Sequence, residues 1–125
     1  MINEPCKEYK RPWGSYKTLA LENGFQVKVL TILPGEKISL QKHAKRSEHW
    51  VVTQGIPTLT IGDTKKAYHP DQSVYIPKAV LHRIENLTEE ICTVIEVQVG
   101  SYLGEDDIVR VDDVYGREQN LMDCK

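Results

Sequence analysis

Gln41, His43 and Glu48 stand close together between two turn glycines, Gly35 and Gly55, and offer the nitrogen and oxygen donors that a divalent metal takes. Gln41 and His43 are two apart in the stretch Ile38 to His43, and a strand alternates its side chains with period two, so both point to one side of a sheet. Ala44 to Ser47 is polar and short enough to turn the chain, and Glu48-His49-Trp50-Val51-Val52-Thr53 reads as the returning strand of a hairpin. That hairpin brings Glu48 beside the other two and supplies three of the four ligands of an open site. A fourth is His82, where the proline turn at Pro77 leads into a strand that opens on a histidine. Only the fold can carry His82 to the hairpin. The set suits zinc first, with manganese, iron, nickel or cobalt as alternatives, and water in the remaining places. Taken singly, either histidine reads as a hydrogen-bonded structural residue and Glu48 as a surface charge; their joint spacing carries the metal reading.

The elements that must position these residues are short strands. Ser15 to Leu21 and Phe25 to Leu33 pair across the turn Glu22-Asn23-Gly24, the second alternating Phe25, Val27 and Val29 against Gln26 and Lys28. Pro34-Gly35 fits a type II turn, which needs a positive φ at its third position. Thr58 to Ile61, Ala67 and Tyr68, Ser73 to Ile76, Leu81 to Asn86 and Cys92 to Gly100 follow, with turn residues between them. No amphipathic helical window occurs before position 100. The pattern predicts an all-β, double-sheet jelly roll in a single domain spanning 1–125. Met1 to Lys10 reads as an N-terminal arm or edge segment. Glu105 to Lys125 is charged and without alternation, which predicts a turn or short helix packed outside the barrel, frayed at its end. Trp13, between Pro12 and Gly14, reads as a buried anchor or as the aromatic wall of a pocket.

Composition excludes several classes. The 125 residues are 40% hydrophobic with a formal net charge of -2, and the basic residues are scattered, unlike the footprint of a nucleic-acid binder. No run approaches the roughly 20 apolar residues that span a bilayer, and the N-terminus has no apolar core of a signal peptide. Cys6, Cys92 and Cys124 are odd in number and far apart, which argues against a disulfide framework and for a reducing cytoplasm.

Gly35, Gln41-x-His43, Glu48 and Gly55 together resemble the first motif of the cupin superfamily, with Gln41 in place of its first histidine. Pro77-x-Ala79-x-x-His82-x-x-x-Asn86 resembles the second, with Ala79 where glycine is usual. At family level, Arg11-Pro12-Trp13-Gly14, Ser39-Leu40-Gln41, Arg46, Glu48 to Val52, His82 to Asn86, Ile95 to Gln98, Glu105-Asp106-Asp107-Ile108 and Tyr115-Gly116-Arg117 resemble the type II mannose-6-phosphate isomerase domain. That domain commonly forms the C-terminal part of bifunctional mannose-1-phosphate guanylyltransferases. No nucleotidyltransferase domain precedes it in this sequence, so the expectation is isomerisation without guanylyl transfer. The resemblance implies a cupin-type double-stranded β-helix, metal positions at Gln41, His43, Glu48 and His82, and interconversion of mannose 6-phosphate and fructose 6-phosphate.

Such an isomerisation passes through an enediol, whose oxygen charge a divalent ion stabilises, and it needs a base and a phosphate clamp. For the base, Glu96 shares a strand face with Val94 and Gln98. Thr93, Ile95, Val97 and Val99 make an equally good core face, and parity alone does not choose between them. For the phosphate, Arg46 in the turn between two ligands is the first candidate, with Arg117, Lys28 and Arg83 behind it; Arg83 follows an inward His82 and so points away. His49 turns from the site by parity, His69 sits in a turn, and Trp50 floors the pocket. Tyr102 and Tyr115 fit either core or pocket. Two rival functions remain at this stage: a non-catalytic module binding a sugar phosphate or sugar nucleotide, and a cupin of other chemistry such as a dioxygenase, against which Gln41 counts. The expected partner is a small sugar phosphate, and a homodimer would protect edge strands.

Overall fold

The computed structural model describes residues 2–112. Tyr115, Arg117, Cys124 and the rest of the predicted tail beyond Asp112 lie outside the described residues. Eleven strands are found among those described: β1 (Glu8–Arg11), β2 (Gly14–Glu22), β3 (Phe25–Ile32), β4 (Leu40–Lys42), β5 (Arg46–Gln54), β6 (Thr58–Ile61), β7 (Thr64–Ala67), β8 (Ser73–Ile76), β9 (His82–Glu85), β10 (Cys92–Gly100) and β11 (Val109–Asp112). They form two sheets, β1-β2-β3-β10-β5-β8 and β11-β4-β9-β6-β7, every pair antiparallel. The two sheets face each other as a jelly roll.

Pro34-Gly35 turns as predicted, with Gly35 at φ +78°. Gly14 has a different reason to be glycine: at φ +151°, a Cβ there would lie 1.9 Å from the Thr31 carbonyl oxygen. The close approach lets β2 begin directly beside β3 and seats Trp13 in the core, as the sequence led us to expect. Trp50, Ile32, Leu59, Ile76 and Ile84 are fully buried. Each such side chain contributes on the order of 1.5 to 3 kcal/mol.

The barrel interior is divided. Even-numbered residues of β3 and β10 face inward, so Leu30, Ile32, Cys92 and Val94 fill one half while Gln26, Lys28, Glu96 and Gln98 line the other. Val27, Val29, Ile95 and Val97 are left on the outer face, half-buried. Hydrophobicity alone would have turned both strands over; the polar half is the end that holds the site.

Four sequence expectations are corrected. β4 and β5 are not a hairpin: β4 pairs with β9 and β11, β5 with β10 and β8, and residues 43–45 cross from one sheet to the other. The ligands therefore meet across the barrel interior instead of along one ribbon. Arg46 is the first residue of β5, not part of a solvated turn. The N-terminal segment is the edge element that one of its two readings gave, β1 pairing with β2, but it is not wholly outside the core, because its Asn3 is buried against Tyr16, Gln26 and Glu105. Within the described residues, the segment from Glu105 begins as the predicted turn but does not stay outside: Glu105 lines the pocket, and the chain continues as β11, which pairs with β4.

Candidate metal centre

β4 and its continuation place Ser39, Gln41 and His43 on one side of the smaller sheet, and β9 places His82 directly opposite Gln41 in register. From the other sheet β5 brings Glu48. One donor atom from each of His43, Glu48 and His82 lies within 4.8 Å of the others, and all three residues are buried. His43 Nε2 is 3.3 Å from Glu48 Oε2, and His82 Nε2 is 3.7 Å from Glu48 Oε1.

The outer nitrogens explain why both imidazoles present Nε2. His43 Nδ1 lies 2.7 Å from the Asp107 carbonyl oxygen and His82 Nδ1 lies 2.9 Å from that of Val80. A carbonyl only accepts, so each Nδ1 carries a proton, and Nε2 is the ring nitrogen turned toward Glu48. Burial, with the Arg46 guanidinium and His82 beside it, pushes His43 down to about 3, so the ring is neutral at pH 7. Burial would push Glu48 up, but Arg46, His82 and hydrogen bonds from Glu96 and Arg46 outweigh it and hold the carboxyl at about 2. A neutral imidazole at His43 and an ionised carboxylate at Glu48 are the protonation states that a divalent ion requires of these two residues. The donor set thus fits a divalent metal. Gln41 lines the same pocket, with its Nε2 3.3 Å from the Ser39 carbonyl oxygen.

Behind the ligands, Trp50 floors the pocket. Its Nε1–H donates to Glu48 Oε1 and to Glu96 Oε2, both at 3.0 Å. Glu96 accepts from Gln98 Nε2 at 2.8 Å, and burial together with the neighbouring Glu48 carboxylate pushes it up to about 7. The parity left open by the sequence is thereby resolved in favour of Val94, Glu96 and Gln98 facing in.

Arg46 lies beside the ligands, deep in the pocket. Nε donates to Glu48 Oε2 at 2.9 Å and Nη2 to His43 Nε2 at 3.2 Å, while Nη1 is buried without a hydrogen-bond partner among the described residues. Ser39 Oγ is also buried without one. Lys28 lines the pocket, 4.2 Å from the centre of the Tyr16 ring, in an ion pair with Glu105 at 2.5 Å. Arg83 points away as expected, to the Ile38 carbonyl and to Asp112. Arg117 lies outside the described residues. His49 is exposed against Tyr75, His69 is exposed, and Tyr102 bonds Asp106 at the surface. Ser39, Glu105 and Asp107 were missed by sequence reasoning. Ser39 has the parity of Gln41 and His43, which was a usable signal; the contribution of Asp107 through a backbone carbonyl had none.

A family model described as "Mannose-6-phosphate isomerase C-terminal" matches residues 3–113. The alginate biosynthesis protein AlgA of Pseudomonas aeruginosa is 49% identical over 112 residues, covering 90% of this chain and 23% of that protein. The xanthan biosynthesis protein XanB of Xanthomonas campestris is 50% identical over 107 residues, covering 86% and 23%. A mannose-1-phosphate guanylyltransferase of Sinorhizobium fredii is 46% identical over 103 residues, covering 82% and 20%. The chain thus spans less than a quarter of the length of these relatives. Among solved structures, KdgF from Halomonas sp. superposes with a TM-score of 0.69 at 15% identity, covering 77% of this chain and 89% of that one. A cupin 2 conserved barrel domain protein from Salinispora arenicola gives 0.62 at 21% identity, covering 69% and 75%. The fold they share with this chain is the cupin barrel.

Proposed function

This chain belongs to the mannose-6-phosphate isomerase C-terminal family, and from that premise we propose that it interconverts mannose 6-phosphate and fructose 6-phosphate with a bound divalent metal, zinc first among the candidates. The observation that carries the reading is one pocket lined by His43, His82 and the buried carboxylate Glu96, pushed up to about 7, with Glu48 grouped with the two histidines as a third donor. Gln41 is the proposed fourth ligand. When bound, the ion would stabilise negative charge developing on the sugar oxygens at C1 and C2.

The chain's own residues account for the rest of the chemistry. Glu96 as carboxylate takes the proton from C2 of the open-chain aldose and returns it to C1, while the hydroxyl proton moves from O2 to O1. Its raised value leaves both protonation states accessible near neutrality, as a group that must accept and then release a proton requires. Trp50 Nε1 holds Glu96 and Glu48 in fixed relation. Arg46 Nη1 and Ser39 Oγ, buried and unsatisfied by protein, are donors for substrate oxygens near the metal. Lys28 lines the same pocket, opposite Glu96 in the β3–β10 register, and is the proposed contact for phosphate, with Arg117 a further candidate from the sequence. The bonds of Arg46 to Glu48 and His43 shift its proposed role from the phosphate toward the reacting end. Free thiols at Cys6 and Cys92 support the cytoplasm as the compartment.

The test is turnover by protein stripped of metal and reloaded with zinc or manganese, assayed on mannose 6-phosphate and on free mannose. Metal-dependent formation of fructose 6-phosphate is expected, lost in Glu96→Gln. Binding of sugar phosphate without turnover by the metal-loaded protein would overturn the reading in favour of a binding module.

A further inference from the structure

The acidic stretch Glu105-Asp106-Asp107, lying between β10 and β11, has no part in the chemistry above, yet Asp107 touches the metal centre at three atoms. Its carbonyl oxygen lies 2.7 Å from His43 Nδ1. Its carboxylate oxygens accept the backbone N–H groups of Ala44 at 3.0 Å and Lys45 at 2.9 Å. These are the residues that immediately follow His43.

The local chain needs that support. β4 ends at Lys42 and β5 begins at Arg46 in the other sheet, so His43, Ala44 and Lys45 cross between sheets outside either ladder. Ala79 N–H bonds the His43 carbonyl at 2.8 Å and holds the backbone of the crossing from one side. It does nothing for the ring. A carboxylate that accepts two successive amides fixes the course of the crossing by charge-assisted bonds, and the carbonyl of the same residue fixes the imidazole from behind. We propose that Asp107 is a positioning residue of the metal centre: it holds His43 in one orientation and one tautomer, with Nε2 toward Glu48 and His82, and so sets the metal affinity. This rests on the reading of His43, Glu48 and His82 as ligands. Partners behind ligating histidines are generally worth about 10- to 100-fold in metal affinity.

The experiment is a zinc titration of the full chain against a chromophoric chelator, with folding checked by circular dichroism. Asp107→Ala is expected to weaken zinc about 10- to 100-fold, and Asp107→Asn, which keeps one acceptor for the two amides, to fall between it and the parent. Asp112→Ala is the control, because it removes an acidic side chain at the far end of β11 that bonds only Arg83 among the described residues, whose bonds to the Ile38 and Asp112 carbonyls remain, and it should leave zinc affinity at the parent value. His43→Ala separates the two possible failures. Unchanged zinc binding in His43→Ala would refute the ligand assignment itself. Loss in His43→Ala with parental affinity in Asp107→Ala would refute the role of Asp107 alone. Should Asp107→Ala fail to fold, nitrogen NMR of the metal-free parent still decides: His43 protonated at Nδ1 supports the proposal, and His43 protonated at Nε2 overturns it.

Discussion

Arg46→Met should destabilise the metal-free protein severely and the metal-loaded protein hardly at all. The guanidinium is buried and lies 2.9 Å from Glu48 Oε2, and the Glu48 side chain is 1% exposed. Removing one partner of such a pair leaves a buried charge without compensation, which costs about 3 to 5 kcal/mol. Methionine retains much of the apolar stem and fills space flexibly, so the packing loss is small beside that. For a chain of this length the loss corresponds to roughly 10 to 20 °C in Tm. Glu48 can escape part of the cost by taking up a proton. Its carboxyl, freed of Arg46, would titrate above the ordinary range, so the deficit of the variant should shrink as pH is lowered from 7. A divalent ion supplies the missing positive charge to the same carboxylate, and the deficit with metal should fall below about 1 kcal/mol. Urea unfolding followed by the fluorescence of Trp13 and Trp50, in chelator and in excess zinc, measures both numbers. A deficit in chelator below about 1 kcal/mol, or an equal deficit with and without metal, would refute the argument that Arg46 and the metal neutralise the same group.

Two further outcomes follow from the neighbouring network. Trp50→Phe deletes one N–H shared by two buried carboxylates and should cost about 1.5 to 3 kcal/mol at pH 7, measured by the same unfolding; a loss under about 0.5 kcal/mol would mean that Glu48 and Glu96 do not depend on it. Burial would raise Glu105, but Lys28, Arg46 and the hydrogen bond from Lys28 hold it below its ordinary 4.5, so its stabilisation is present above pH 4.5 and lost as pH falls through the lower folded value. Glu105→Gln should therefore be less stable than the parent at pH 7 and converge on it in thermal melts at acid pH, whereas a constant difference across the range would contradict the pairing.

The candidate ligands were legible in the sequence because their signal is local: Gln41-x-His43, then Glu48, then a histidine opening a strand after Pro77. Their placement on two different sheets was not, because a short polar connection reads alike as a hairpin turn or as a crossing, and only the pairing partners of β4 and β5 decide. The inward faces of β3 and β10 were obscured for a related reason. Gln26, Lys28, Glu96 and Gln98 are buried because they satisfy one another and the site, and the more apolar Val27, Val29, Ile95 and Val97 are displaced outward. Arg46 has the composition of a solvated turn, and its burial depends on Glu48, two positions on, being an interior carboxylate. β1 and β11 are four-residue strands, too short for alternation to register; in β11 the apolar members, Val109 and Val111, are the exposed ones.

The bond between Asp107 and His43 spans 64 positions, and that from Asn3 to Glu105 spans 102. A ribosome delivers the chain in one direction, so these links close in a fixed order relative to the core. Trp13, Ile32, Trp50, Ile84 and Val94 all precede Asp107, so the residues of the core are synthesised before the one that backs His43. During that interval His43, Glu48 and His82 are already present, but nothing stands behind the His43 ring. The order of synthesis thus supplies the core residues before the contact behind the His43 ring, and the proposed site is complete only once the stretch that follows β10 has been made.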